Sequence, residues 1–185
     1  PDPYREKLQL HEFSNQVVNA INALSERGHK PAALIIDTIF ATEGMPRIGK
    51  DFVQTTVELV RKAGGLYIAD EVQPGFGRTG TNMWGYELYG TVPDLVTLGK
   101  PMGNGFPLAR VVGKSDLIEE FGKLTSYFNT FGGNPVAAAV GLAVLKIINK
   151  ENLMEFALKV GNHFQSCLHK LANKYDILGD VKGYG

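Results

Sequence analysis

The residues of this chain with the most chemistry to offer are two carboxylates and a lysine, each at the end of an apolar run. Leu66 to Ala69 is short and nearly all apolar. Gly64-Gly65 before it and Pro74-Gly75 after it bound the run, the pattern of a strand buried on both faces. Asp70 and Glu71 follow at its carboxyl end, the edge at which open parallel sheets place their ligands. Leu95 to Leu98 is a second such run and ends on Gly99 and Lys100. If the two runs are sheet neighbours, Asp70 and Lys100 project into one crevice. A lysine and an acid so placed suit pyridoxal phosphate chemistry. The amine holds the aldehyde as a Schiff base, and the carboxylate keeps the pyridine nitrogen protonated so that the ring can accept electrons. Such a lysine must be partly desolvated to be a nucleophilic amine near neutral pH. The same residues also read as a strand-end cap or surface pair with a solvated lysine, and spacing alone leaves both readings open.

The elements that would position them follow the same logic. Phe13, Val17, Val18, Ile21 and Leu24 recur at helical spacing with Gly28 as a stop, while residues 1–12 show an extended start and no helix pattern. Ala32 to Ile36 is a buried strand ending at Asp37-Thr38. Phe52, Val53, Val57, Leu59, Val60 and Ala63 form a helix closed by Gly64-Gly65. Strand, helix and strand of this length make a βαβ crossover with parallel pairing. Ala109 to Val112 is a further strand and Asp116 to Phe121 a short helix. Asn134-Pro135 opens a long helix over Val136 to Ile148, whose start favours an anion such as phosphate near Thr130, Gly132 and Gly133, although a loop threonine is more often just a local cap. Leu153, Phe156, Val160, Phe164, Leu168 and Leu171 predict a last helix with one buried stripe. Cys167 lies at the edge of that stripe and reads as packing. Ile177 begins a new segment.

Composition excludes several classes. The 185 residues suffice for one domain with a sizeable core, and 44% hydrophobic with 21% charged residues is ordinary for a globular protein. Lys plus Arg and Asp plus Glu are both 19, so nothing points to nucleic acid or to a membrane surface. One cysteine, Cys167, rules out an internal disulfide and fits a reducing compartment, so a cytoplasmic location is expected. No apolar run approaches a membrane span, and no signal-peptide pattern occurs. The four histidines lack metal-ligand spacing, so no metal is expected. Gly75-Phe-Gly77-Arg-Thr-Gly80 fits a dinucleotide fingerprint letter for letter, but Glu71 to Pro74 separate it from the strand and no helix opens at its third glycine. Tyr67-Ile68-Ala69-Asp70-Glu71 is similar to a Walker B strand, yet the chain has no GxxxxGK[ST] phosphate loop to accompany it.

Ile68-Ala-Asp-Glu-Val-Gln-Pro-Gly-Phe-Gly-Arg-Thr-Gly80, Met83-Trp84-Gly85, Pro93-Asp94, Gly99-Lys-Pro-Met-Gly-Asn-Gly105 and Asn129-Thr-Phe-Gly-Gly-Asn-Pro135 run in order over most of the chain. Together they resemble the class III aminotransferases, pyridoxal phosphate enzymes of fold type I. The wording is closest to the branch of alanine–glyoxylate aminotransferase and the amino-alcohol phosphate phospho-lyases. The resemblance implies an α/β three-layer sandwich with a mostly parallel central sheet, present in part. Residues 1–150 would belong to the cofactor-binding large domain, and 151–185 to a connecting helix and the start of a small carboxyl-terminal domain. It implies pyridoxal 5'-phosphate as cofactor, with Lys100 as the Schiff-base lysine and Asp70 as the ring-nitrogen partner. Val72 matches the residue packed on the ring face, Gln73 the one near the ring hydroxyl, and Thr130 a threonine that binds the cofactor phosphate of the neighbouring subunit.

By the same resemblance the partners are an amine or amino acid and a 2-oxo acid, and the complete enzyme is a homodimer or larger. Elimination from a phosphorylated amine, or an inactive fragment or interaction subunit that keeps the fold, are the alternatives. Family members carry a glutamate and proline where this chain has Asp37-Thr38, in a loop that shapes the substrate pocket. They are also much longer, with a Ser/Gly phosphate loop and a ring-stacking aromatic upstream that are not found before Lys100. The 185 residues alone are therefore expected to be inactive.

Overall fold

The computed structural model describes the backbone of residues 6–185 and the side chains of residues 12–185. Its helix α1, Glu6–Glu26, starts well before the expected position, so the extended reading of residues 1–12 fails from Glu6 onward; residues 1–5 lie outside the described residues. Glu6-Lys7-Leu8-Gln9-Leu10 are all good helix formers. A helix nucleated by the periodic segment propagates through such residues without needing an apolar stripe of their own. Gly28 ends it with φ +76°.

Strands β1 (Ala33–Asp37), β2 (Leu66–Asp70), β3 (Leu95–Leu98) and β4 (Arg110–Gly113) form one sheet in the order β1-β2-β3-β4. The first three are parallel, and β4 closes the edge antiparallel to β3. Register places Asp37, Asp70, Thr97 and Val111 side by side across all four strands. Helix α2 (Lys50–Lys62) makes the crossover from β1 to β2 and buries Val53 and Val57 against Ile36, Tyr67 and Ala69. A second core forms where Leu98 meets Phe76 and Ile148, with Trp84 edge-on to Phe76 at a centroid distance of 5.1 Å.

Because side chains alternate along a strand, those cores use one face of the sheet. The other face carries Ile35, Ile68, Asp70, Thr97 and Val111. Here Ile35 of β1 is 59% and Val111 of β4 55% exposed, and Ile68 of β2 is half-buried, so β1 and β2 are not buried on both faces as their apolar runs predict. The runs hold the residues a two-sided cover would need. Among the described residues α2 packs on one side of β1 and β2, and on the other Ile118 of α3 (Ser115–Leu124) reaches only the Gly113 and Leu95 end.

Helix α4 (Pro135–Lys150) is capped by Asn134, whose Oδ1 accepts the Ala137 N–H at 2.9 Å. Asn152, with φ +50°, turns the chain into α5 (Leu153–Ala172). The stripe expected to be buried on α5 is split. Of its residues Leu153 and Leu168 are half-buried, as are Met154 and Leu158 outside it, whereas Phe156 and Phe164 are 62% and 61% exposed. Helical spacing shows which residues share a face, not which of two apolar faces is met by a partner. No regular element follows Ile177, which is 91% exposed.

One buried carboxylate ties these layers together. Asp94 accepts the Tyr67 N–H at 2.8 Å, the Arg61 guanidinium at 3.1 Å and the Lys114 ammonium, joining α2, β2 and the end of β4. Burial pushes its carboxyl up, and the donors from Lys114, Tyr67 and Arg61 outweigh burial and hold it below the ordinary aspartate range. A lowered native pKa means stability that is complete above about pH 4 and is lost as pH falls through the native value. Asp94→Ala leaves the Tyr67 N–H buried without an acceptor, at a cost of about 2 kcal/mol. A fall in the urea midpoint that is full at pH 7 and shrinks at the acid end is the expected result; equal losses at all pH values would show that charge is not involved.

Candidate active site

The sheet pairing brings the sequence-derived residues to one edge. Asp70 ends β2, and its Oδ1 receives two hydrogen bonds, from the Thr97 hydroxyl at 3.0 Å and from the Val72 N–H at 3.1 Å. Among the described residues Oδ2 accepts none. One carboxylate oxygen is thus anchored to the protein and the other left for a ligand's N–H.

Lys100 begins the tight turn that follows β3, with φ +34°. A left-handed backbone at a lysine costs on the order of 1 kcal/mol and persists only where the surroundings impose it. Here Gly103 closes the turn so tightly that a Cβ on it would lie 2.0 Å from the Phe106 carbonyl oxygen. The result is a cleft of about 640 Å³ lined by Val72, Leu98, Gly99, Lys100, Phe106 and Ala109. Val72 and Lys100 thus line the same cleft, and a Cβ on the intervening Gly99 would touch the valine methyls at 3.5 and 3.6 Å. The Lys100 side chain is exposed, so the desolvation expected of it is not supplied by the described residues.

Gln73 is fixed from the β1 side. Its Nε2 donates to Asp37 Oδ2 at 3.0 Å, and Asp37 also accepts the N–H groups of Ile39 and Ala41 at 3.1 Å each. Glu71 points the opposite way from Asp70. It is fully buried and accepts Gly85 N–H at 2.7 Å, Tyr86 N–H at 2.8 Å and the Thr38 hydroxyl at 3.0 Å. Burial raises its carboxyl pKa, and the three donors work against that. Gly85 has to be glycine for this approach, since a Cβ would come within 2.1 Å of Thr38 Oγ1. The Asp-Glu pair thus divides its roles, with Asp70 facing the open side and Glu71 locking the loops beneath. Asp37 and Thr38 are the partners sequence reading missed. Their departure from the family's glutamate and proline was visible, but not which side chains they would meet.

Thr130 is not brought to the cleft within this chain. It lies in an exposed turn before α4, between Phe128 and Phe131, which are 85% and 79% exposed. The fingerprint glycines Gly75 to Gly80 form consecutive turns and no helix opens at Gly80, the next one being a short 3-10 helix at Gly85–Tyr89. No cluster of three or more His, Cys, Asp or Glu able to hold a metal occurs among the described residues.

The donor set fits the ring end of pyridoxal phosphate. A primary amine lines an apolar cleft, a carboxylate has one oxygen with no donor among the described residues, and the Gln73 amide is held in a fixed orientation by Asp37. Comparison with known proteins agrees. The family description "Aminotransferase class-III" matches residues 1–185. Ethanolamine-phosphate phospho-lyase homolog 1 of Caenorhabditis elegans is 39% identical over 176 residues, covering 94% of this chain and 38% of that protein. Human mitochondrial alanine–glyoxylate aminotransferase 2 is 43% identical over 154 residues, covering 83% of this chain and 30% of that protein. A solved phospholyase from Arthrobacter in complex with phosphoethanolamine superposes with a TM-score of 0.95 at 41% identity, covering 99% of this chain and 44% of that one. A solved transaminase from the marine bacterium Virgibacillus gives 0.82 at 31% identity, covering 93% and 40%. The chain thus spans less than half the length of these relatives, and it belongs to the class III aminotransferases, pyridoxal-phosphate-dependent enzymes of fold type I.

Proposed function

We propose that the complete protein transfers an amino group from an amine or amino acid to a 2-oxo acid, with Lys100 holding the pyridoxal phosphate aldehyde. The observation that carries this is a cleft lined by both Lys100 and Val72, with the Val72 N–H and the Thr97 hydroxyl holding Asp70 Oδ1 and leaving Oδ2 without a donor among the described residues. When bound, the cofactor supplies an electron sink for the electron pair left on a substrate carbon that loses a proton. The chain's own residues do the rest. Asp70 Oδ2 accepts the ring N–H and keeps that nitrogen protonated, while Val72 packs on a ring face. Gln73 stands near the ring hydroxyl. Lys100 Nζ, which has no ion-pair partner among the described residues, takes up and returns the substrate proton. Thr130, on its exposed turn, serves the phosphate of a neighbouring subunit's cofactor in a homodimer.

Residues 1–150 are then part of the large domain, and 151–185 the connecting helix and the start of the small one. Since the chain spans less than half of its relatives, the 185 residues alone are inactive in this reading. The single cysteine supports a reducing compartment. No described helix is long and apolar enough to cross a membrane.

A second reading, phosphate elimination from a phosphorylated amine, is favoured by the 41% identity to the phospholyase solved with phosphoethanolamine. The two give different products. Incubating the complete protein with an amine donor plus pyruvate or glyoxylate, and separately with phosphoethanolamine, decides between them. Amino transfer is the expected outcome; phosphate release with no amino transfer would replace it with the second reading.

A further inference from the structure

Asp70 cannot hold its own orientation, because a short carboxylate at a strand end rotates freely unless something anchors one oxygen. Two groups do so here, and one of them is a side chain. Thr97 lies directly across from Asp70 in the parallel register, on the same face of the sheet. Its hydroxyl donates to Asp70 Oδ1 at 3.0 Å, and its carbonyl accepts the Glu71 N–H at 2.9 Å. The backbone after Asp70 and the carboxylate itself are therefore tied to the same residue. Three positions later the same segment delivers Lys100 to the cleft.

We propose that Thr97 is a positioning residue that aims the free oxygen of Asp70 at the cofactor ring and registers it to Lys100. This rests on reading Asp70 as the partner of the ring nitrogen. The physical case is specific to the hydroxyl. A carboxylate whose Oδ1 accepts two donors loses its rotational freedom about the last bond, so Oδ2 has one direction left. The Val72 N–H alone leaves that rotation open. Valine at position 97 has nearly the shape of threonine, lacks the donor, and suits a strand at least as well. It therefore separates orientation from stability.

The test uses the complete protein loaded with pyridoxal phosphate, assayed on whichever amine it turns over. For Thr97→Val, kcat is expected to fall about tenfold, the scale of one hydrogen bond to a charged group, with KM for the amine within about twofold. The dissociation constant for the cofactor, followed by visible absorbance, should rise several-fold, while the melting temperature stays at or above that of wild type. Thr97→Ser keeps the hydroxyl and should restore rate and cofactor affinity. In an Asp70→Asn background, Thr97→Val should add less than about a twofold loss, because its action runs through Asp70. Should valine not be tolerated, Thr97→Ala removes the same donor and is held to the same rate and cofactor-affinity outcomes, with a lower melting temperature expected of alanine in a strand. An unchanged rate in Thr97→Val, a serine variant as impaired as valine, or an undiminished loss in the Asp70→Asn background would each overturn the proposal. If Asp70→Asn alone is near wild type, the reading of Asp70 fails and this inference with it. A slow Asp70→Asn beside a normal Thr97→Val overturns only the inference.

Discussion

Lys100→Ala in the complete protein is expected to stop amino transfer, with a loss of at least about ten-thousandfold in turnover, while pyridoxal phosphate is still held noncovalently. The size follows from what the residue does. It is both the covalent attachment point and the proton carrier, and removing a nucleophile that acts as part of a unit costs nearly all of that unit's contribution. Lys100 is the lysine that lines the cleft, and it begins the turn after β3 with a left-handed backbone. Borohydride treatment of the loaded wild type should fix the cofactor on Lys100, read by peptide mapping. Lys114 is already engaged with Asp94, and Lys62 lies in the last turn of α2. An adduct on either would overturn the assignment, as would visible turnover in Lys100→Ala.

Asp70→Asn should retain cofactor yet slow the proton-removing step by roughly a thousandfold, about 4 kcal/mol, the scale on which a preorganised electrostatic group acts. Asparagine preserves shape and can still meet Thr97 and Val72 through its amide oxygen, so the fold should survive. What it cannot supply is the negative charge that keeps a ring nitrogen protonated. A substrate isotope effect larger than in wild type would place the loss on proton removal. A near-normal rate would mean that the carboxylate serves only as the cap its bonds to Val72 and Thr97 describe.

The α/β alternation was legible because each apolar run and each glycine acts locally. Leu66 to Ala69 and Leu95 to Leu98 fell within a residue of the observed strands, and Gly64, at φ +90°, ends the helix region before β2 as expected. Burial on both faces was not legible, because an apolar residue such as Ile35 records the need for a cover and not its presence. The α5 stripe failed for a related reason. Phe156 and Phe164 satisfy the helical period, but contact depends on which neighbour arrives. In α1 the error ran the other way, since propensity alone carries a helix beyond its patterned stretch.

By itself the sequence determined the order of strands and helices, the presence of an acid and a lysine at strand ends, and the family to which their motifs belong. Those features depend on residue type and near spacing, and near spacing is what a linear chain carries. The tertiary structure decided that Asp70 and Glu71 serve opposite faces, that Thr97 anchors one oxygen of Asp70, that Asp37 holds Gln73, and that Val72 and Lys100 line one cleft. The hydrogen bonds among these join residues 27 to 36 positions apart in sequence. Such a hydrogen bond needs its partners placed to within a few tenths of an ångström. Only sheet register and loop packing set positions that finely, and a strand slipped by one residue would present the same sequence with every side chain on the other face.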